Sequence, residues 1–94
     1  SLNKRKKVCI ISAEHERVRQ YIINDLSRGV TLYDVQGGYS GEKKVELVAL
    51  LSTDEFSDLM KYINDNEINA FITAGNVSEV YGLWGDKNRR KNIK

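Results

Sequence analysis

A strand-and-cap pattern that occurs twice, forty residues apart, constrains the fold of this chain more than any other feature. The two segments are Val8–Glu14 (VCIISAE) and Val48–Asp54 (VALLSTD). Each places a short apolar run before a serine and then an acid, the order expected where a buried strand ends and a helix begins. Two similar halves in tandem predict two β-α-β units that share one sheet.

The first half predicts a strand, a helix and a second strand. The apolar run at 8–11 is typical of a buried strand (β1), and Ser12 is the predicted N-cap of the helix that follows. Gly29 is the predicted left-handed residue that ends this helix, and a second strand (β2) is expected over 30–35. The apolar stripe of the helix consists of Val18, Tyr21, Ile22 and Leu26.

The second half repeats this order. Apolar and polar residues alternate over 44–51, which predicts a third strand (β3). Ser52 and Glu55 have the spacing of a capping box, so we expect the second helix to begin there and to end at 64–66. A fourth strand (β4) is predicted over 68–74. The apolar stripe of the second helix consists of Phe56, Leu59, Met60 and Ile63.

The order strand, helix, strand, strand, helix, strand predicts an α+β fold of the ferredoxin-like βαββαβ type. Right-handed crossovers then give a four-stranded antiparallel sheet in the order β4-β1-β3-β2, with both helices on one face. In this topology both chain ends leave from one end of the sheet. The glycine-rich loop 36–42 lies at the other end, beside the start of the first helix.

Length and composition fit one compact domain. A chain of 94 residues with 40% hydrophobic content is too short for two domains and too apolar to be disordered. A mean hydropathy of −0.49 excludes a membrane span in this sequence. We expect a basic flank at 1–7, the folded domain at 8–85 and a basic disordered tail at 86–94.

Charge is distributed unevenly between this domain and its flanks. The segment 8–85 holds twelve of the thirteen acidic residues but only six of the fifteen basic ones. The basic ends are interpreted either as solvated tails or as a juxtamembrane flank that faces anionic lipid. The acidic body argues against nucleic-acid binding, although Tyr33 and Phe71 could stack on bases of RNA.

The sequence contains no recognisable catalytic or metal-binding constellation. With one cysteine and one histidine, the chain can form neither an internal disulfide nor a zinc site. We therefore predict no metal, no cofactor and no enzymatic activity, with a structural or surface role for His15 and a packing role for Cys9. The loop 36–42 is either a plain hairpin connection or a ligand contact.

Aromatic residues beyond the last predicted strand suggest an interface. Tyr81 and Trp84 follow the core, where large aromatic side chains commonly pack on an edge or mark a contact between subunits. Because β2 and β4 are both edge strands, association of subunits there would hide their open ladders.

Several segments resemble one family of bacterial membrane proteins. They are Gly29–Thr31, Asp34, Gly37–Glu42, Asn69–Ile72 and Val77–Gly82. Over residues 6 to 82 the chain resembles the C-terminal cytoplasmic domain of YitT-type proteins, a domain-of-unknown-function family in the PII-like superfamily. The segment Gly82–Gly85 (GLWG) and Asn76 depart from the family pattern, where glycine–acid–glycine–phenylalanine and an aspartate are common.

This resemblance implies a setting that composition does not. The chain would be the cytosolic part of a multi-pass protein of the bacterial inner membrane, soluble as a fragment, with its own N-terminal transmembrane region as a partner. Lys4–Lys7 would then be the positive-inside flank. Members of the PII-like superfamily tend to form trimers and bind small effectors in clefts below the loop between the second and third strands.

The leading hypothesis is a regulatory or sensory domain, of a transporter for instance, that binds an unidentified small effector near loop 36–42. The alternative is a module that binds no ligand and only assembles the membrane protein as a homotrimer or another homo-oligomer. The candidate ligand-binding residues are Thr31, Asp34, Gly37, Gly38, Tyr39, Ser40 and Gly41, and the candidate contacts between subunits are Tyr81 and Trp84.

Overall fold

The computed structural model describes residues 4–83, which fold into four strands and two helices. A π-helical segment, Tyr21–Asp25, continues the first helix. The elements are β1 (Arg5–Ile11), α1 (His15–Gln20), β2 (Thr31–Gln36), β3 (Lys43–Ser52), α2 (Thr53–Asp65) and β4 (Phe71–Val77).

The predicted topology is confirmed. The four strands form one sheet in the order β2-β3-β1-β4, which is the predicted order seen from the opposite edge. Every neighbouring pair is antiparallel. Arg5 pairs with both Ser52 and Val77, so the described chain enters and leaves the sheet at one end, whereas the β2–β3 hairpin lies at the other.

The core lies between the two helices and one face of the sheet. Side chains alternate between the faces of a strand, and the buried ones all belong to the set that faces the helices. Met60 was predicted to belong to the core stripe but is 37% exposed. The most deeply buried side chains are Val8, Ile10, Val18, Ile22, Leu47, Leu51 and Leu59.

Helix α2 begins and ends with the hydrogen bonds that its sequence favours. The predicted capping box is present: the Glu55 amide donates to Ser52 Oγ at 3.1 Å, and the Ser52 amide donates to Glu55 Oε1 at 2.8 Å. At the other end Glu67 has a φ of 52°, and the Ile68 amide donates to the Ile63 carbonyl at 3.0 Å. This is a Schellman motif, which brings Ile68 into the core beside Ile63.

Two predictions about the first helix are wrong. Ser12 is not its N-cap, because the helix begins at His15; Ser12 Oγ instead accepts from the Glu14 amide and donates to the Asn69 carbonyl at 2.7 Å. Gly29 is not the left-handed residue either, since that conformation is adopted by Ser27, with a φ of 57°. The helix ends early in a π-helical turn, in which the Leu26 amide donates to the Tyr21 carbonyl, and the Arg28 amide then donates to the Ile22 carbonyl, six residues back.

Strands β1 and β4 differ from prediction in their limits. β1 begins at Arg5, within the segment expected to be a flank, because the ends of β3 and β4 pair with it there. Lys6 is accommodated because its Nζ donates to Asn76 Oδ1 at 2.9 Å and lies 5.7 Å from the centre of the Phe56 ring. β4 begins three residues later than predicted, because Ile68 belongs to the helix cap rather than to the strand.

Candidate functional site

The β2–β3 hairpin extends beyond the end of its neighbour β1. β1 pairs with β3 only as far as Ile11, which lies opposite Glu46. Among the strands of residues 4–83, the first three residues of β3, 43–45, therefore pair with β2 alone. The side of β3 that β1 leaves uncovered forms one wall of a notch at this end of the sheet.

A cavity of about 590 Å³ occupies this notch. Its walls come from the connection between β1 and α1, from the overhanging part of the hairpin, and from the connection between α2 and β4. The volume lies within the range of small-molecule sites. The residues that line it are Ile11, Ser12, Ala13, His15, Asp34, Glu42, Lys43, Lys44, Val45, Asn69, Ala70 and Phe71.

The charged side chains of this sheet-end cavity have no partners within the described part of the chain. The carboxylates of Asp34 and Glu42 and the ammonium groups of Lys43 and Lys44 make no hydrogen bond or ion pair with residues 4–83. The Nδ1 atom of His15 is buried and likewise has no hydrogen-bond partner there. A buried polar atom without a partner is costly, whereas the four charged groups are exposed and open to a ligand.

The glycines of the hairpin loop stabilise the conformation of the loop itself. The Gly37 amide donates to the Glu42 carbonyl at 2.8 Å, and the Gly41 amide donates to the Gly37 carbonyl at 2.9 Å. Gly41 has a φ of +72°, and a Cβ atom on Gly37 would lie 2.6 Å from Ser40 Oγ. Ser40 Oγ accepts a hydrogen bond from the Glu42 amide at 3.1 Å. These contacts build a defined turn.

Of the residues predicted to bind a ligand, the structure brings Asp34 to the cavity. Gly37, Ser40 and Gly41 form the turn beyond it, as does Gly38, whose surroundings are open, and the Tyr39 side chain is fully exposed at the tip. Thr31 lies three residues back along β2 and is not among the residues that line this cavity. Ligand binding by any of these residues stays a prediction.

Sequence reasoning missed most of the cavity wall. Glu42, Lys43 and Lys44 were attributed to a loop and a strand start, and His15 to a structural or surface role. These residues join the cavity through the strand register. Because β1 ends opposite Glu46, the start of β3 lies beside the residues that follow β1.

The face of the sheet away from the helices, here called the open face, is largely apolar. Cys9, Ile11, Val48 and Leu50 are half-buried along its centre, and Tyr33 and Phe71 are 51% and 69% exposed towards its edges. A second cavity, of about 430 Å³, lies against this face at the end where the chain enters and leaves. It is lined in part by Thr31, Val48, Leu50, Val77, Val80 and Leu83.

Of the two predicted subunit contacts, Tyr81 directly follows Val80, which lines this second cavity. Tyr81 is 86% exposed, and its hydroxyl donates to Glu79 Oε1 at 3.0 Å. Trp84 and the tail 86–94 lie outside the described residues. A role of Tyr81 in association stays a prediction.

Two further properties concern the described residues. Within 4–83, no three His, Cys, Asp or Glu side chains are grouped as a metal site requires. Neither helix of this part of the chain has the length and apolar character that crossing a bilayer requires.

Comparison with known protein families shows which family the chain belongs to. Residues 28–82, more than half of the sequence, match the family described as "Uncharacterized protein conserved in bacteria (DUF2179)". The chain belongs to this family. The match confirms the resemblance to the domain of unknown function found in YitT-type membrane proteins.

Curated relatives are longer than this chain. It is 32% identical over 77 residues to an uncharacterized protein in the cccA 5' region of Bacillus sp. strain PS3, covering 82% of this chain and 51% of the relative. It is 30% identical over 81 residues to the UPF0750 membrane protein YxkD of Bacillus subtilis strain 168, covering 86% of this chain and 29% of the relative. The chain thus spans about half of the first relative and under a third of the second.

Solved structures confirm the fold. A DUF2179 protein from Eubacterium ventriosum superposes with a TM-score of 0.65 at 17% identity, covering 76% of this chain and 97% of that one. CPII from Thiomonas intermedia K12, a nitrogen regulatory PII-like protein solved with ADP, AMP and bicarbonate, superposes with a TM-score of 0.56 at 16% identity, covering 83% and 99%. The fold is therefore PII-like.

Proposed function

We propose that this domain is the regulatory part of a bacterial membrane protein and that a small effector binds in the sheet-end cavity. The observation that carries the proposal is the cavity itself, with its unpartnered charged groups at the base of the hairpin. Two comparisons support it: relatives that are named membrane proteins extend well beyond the matched segment, and CPII, with the same fold, was solved with small ligands.

The position of the cavity offers a mechanism. Asp34 and Lys43 belong to the arms of the hairpin, whereas Ser12 and Asn69 belong to the connections that lead into and out of the helical layer. A ligand that contacts both walls would fix the hairpin relative to the body. Regulation would follow if the attached membrane part favoured one hairpin position over another.

The proposed location is the cytoplasmic face of the membrane. It is supported by the basic residues at 4–7, since segments next to a membrane span carry an excess of Lys and Arg on the cytoplasmic side. The proposed role is regulatory and non-catalytic. It is supported by the names of two similar proteins, the membrane protein YxkD and the nitrogen regulatory protein CPII, neither of which names an enzymatic activity.

A thermal-shift titration tests effector binding. The 94-residue chain is scanned against a metabolite panel that includes ADP, AMP and bicarbonate, because a ligand at one hundred times its Kd stabilises the folded state by about 2.7 kcal/mol. Lys43→Ala should abolish the shift. Lys61→Ala, which removes an exposed lysine of α2 outside the cavity, should keep it. A shift that survives Lys43→Ala, or no shift across the panel, would count against the proposal.

The open face of the sheet favours a second candidate function, assembly of a homotrimer or another homo-oligomer. A monomer leaves its half-buried apolar side chains and two edge strands without a covering layer in the described part of the chain. Sedimentation equilibrium over a range of concentrations measures the association directly. A ligand-independent oligomer would support assembly, and a monomer at all concentrations would contradict it.

A further inference from the structure

The charged side chains of the sheet-end cavity balance in number but do not pair with each other. Two carboxylates, Asp34 and Glu42, and two ammonium groups, Lys43 and Lys44, line the same space. No two of them lie within ion-pair distance, although other charged side chains of the described residues do pair. The cavity wall therefore presents both negative and positive groups that could each form an ion pair with a ligand.

The strand register places these groups at different positions of the hairpin. Asp34 lies directly opposite Val45, and Lys43 lies opposite Gln36, so the acid and the lysine are diagonal neighbours on one face of the hairpin. Lys44 belongs to the other face, because successive side chains of a strand point in opposite directions.

We propose that this cavity takes a zwitterionic ligand of the amino-acid type, with its carboxylate at Lys43 and Lys44 and its ammonium group at Asp34 and Glu42. The inference rests on the proposed function and names the chemical class of its effector. A ligand with one kind of charge would satisfy one pair of side chains and face repulsion from the other. A ligand that carries both satisfies all four.

The apolar part of the wall also fits this class. Ile11, Val45 and the exposed ring of Phe71 provide apolar surface beside the charges. An apolar amino-acid side chain would find a matching wall there.

Matched fragments of one ligand test the proposal. Backbone amide shifts of the 94-residue chain are followed by NMR during titration with L-phenylalanine, 3-phenylpropionate, which lacks the ammonium group, and phenethylamine, which lacks the carboxylate. L-Leucine, L-isoleucine and L-methionine extend the amino-acid series. We expect at least one amino acid to shift amides at 11–15, 42–45 and 69–71. Both phenyl fragments should bind at least tenfold more weakly than the amino acid of the series that binds best.

Charge-neutral substitutions of similar shape provide the crossed control. Asp34→Asn should weaken amino-acid binding at least tenfold and should not weaken any binding of 3-phenylpropionate, because it removes a repelling carboxylate. Lys43→Gln should weaken both the amino acid and 3-phenylpropionate and should not weaken any binding of phenethylamine. Lys61→Gln, outside the cavity, should change none of them. All three positions are exposed, so the variants are expected to fold.

The outcomes separate this inference from the proposed function. If AMP or another single-sign ligand binds in the cavity and no amino acid does, the zwitterion inference is wrong and the effector site stands. If an amino acid binds but its affinity is unaffected by both Asp34→Asn and Lys43→Gln, the inference is also wrong. If no compound of any class binds, both proposals fail together.

Discussion

At the scale of single residues, the strongest constraint is a buried ion pair that joins the two halves of the helical layer. Arg28 Nε donates to both carboxylate oxygens of Glu55, at 3.1 and 3.0 Å, and both side chains are 7% exposed. Glu55 also closes the capping box of α2 by accepting from the Ser52 amide. One carboxylate therefore holds a helix start and the segment that leaves the first helix.

Removing this carboxylate should destabilise the fold severely. Glu55→Ala is expected to lower the free energy of unfolding by about 3 to 5 kcal/mol, because a buried guanidinium loses the carboxylate that faces it. Ser52→Ala removes only the cap and should cost about 1 kcal/mol. Urea unfolding followed by circular dichroism measures both. Asp54→Ala, an exposed acid in the same helical turn, is the control, and an equal loss there would contradict this account.

An exposed carboxylate on the first helix gives a pH prediction. Hydrogen bonds from the Arg19 and then the Gln20 side chain lower the pKa of Glu16 from its ordinary 4.5 to about 2. Because the pKa is lower in the folded state, this contribution to stability is present above about pH 4.5 and is lost as the pH falls through about 2. It should be small, since the group is exposed.

The cause of this pKa can be tested by substitution. Arg19→Ala should raise the pKa of Glu16 towards 4.5, measured from the pH dependence of its side-chain carboxyl chemical shift by NMR. Arg17→Ala removes the arginine that pairs with Glu14 at 2.8 Å and should leave the pKa of Glu16 near 2. An equal effect of the two substitutions would show that net charge, not the hydrogen bond, sets the pKa.

At the scale of elements, the ends of the helices decide where the strands begin. The Schellman motif after α2 holds Glu67 in the left-handed region, where a side chain costs roughly 1 kcal/mol that glycine avoids. Glu67→Gly should therefore raise the free energy of unfolding by up to about 1 kcal/mol, measured by urea unfolding. Asp65→Gly, in the last helical turn, should lower it by roughly 0.3 kcal/mol or more, since glycine is a poorer helix former than aspartate. The same sign for both would contradict the motif's role.

The sequence predicted elements well where the deciding interactions are local. The capping box of α2 and the alternation in β3 each depend on residues a few positions apart, and both were predicted correctly. The end of the first helix was not, because Ser27 adopts a left-handed conformation while Arg28 bonds to a residue on another helix. A partner 27 residues away leaves no periodic trace in the sequence.

The cavity was predictable only in part, for the same reason. The hairpin loop was identified as the region of interest, and Asp34 was named there. The lysines and His15 join Asp34 only because β1 ends before the hairpin does. That difference in length is a property of the register, and the apolar run of β1 did not reveal it.

At the scale of the whole molecule, the sheet separates two surfaces and two ends. The described chain enters and leaves at the end where Arg5 pairs with Val77, and the sheet-end cavity lies at the other. An effector bound there would act on the membrane part through the length of β3 and β4, since both strands run from the cavity wall to the chain ends. The proposed regulation therefore requires that the sheet moves as a unit, or that the contacts of the open face with other copies of the chain change.

The open face gives the last prediction. Val48 lies at its centre, opposite both Cys9 and Thr31, and points away from the core. Val48→Glu should leave the monomer folded, with nearly unchanged circular dichroism and urea midpoint, because the carboxylate can reach water. If copies of the chain pack through this face, burying that charge should shift the sedimentation profile towards the monomer.

Ser57→Glu adds the same charge on the exposed side of α2 and should leave assembly intact. Assembly that persists in Val48→Glu would exclude the open face as the interface and leave the edge strands β2 and β4 as the surfaces to test.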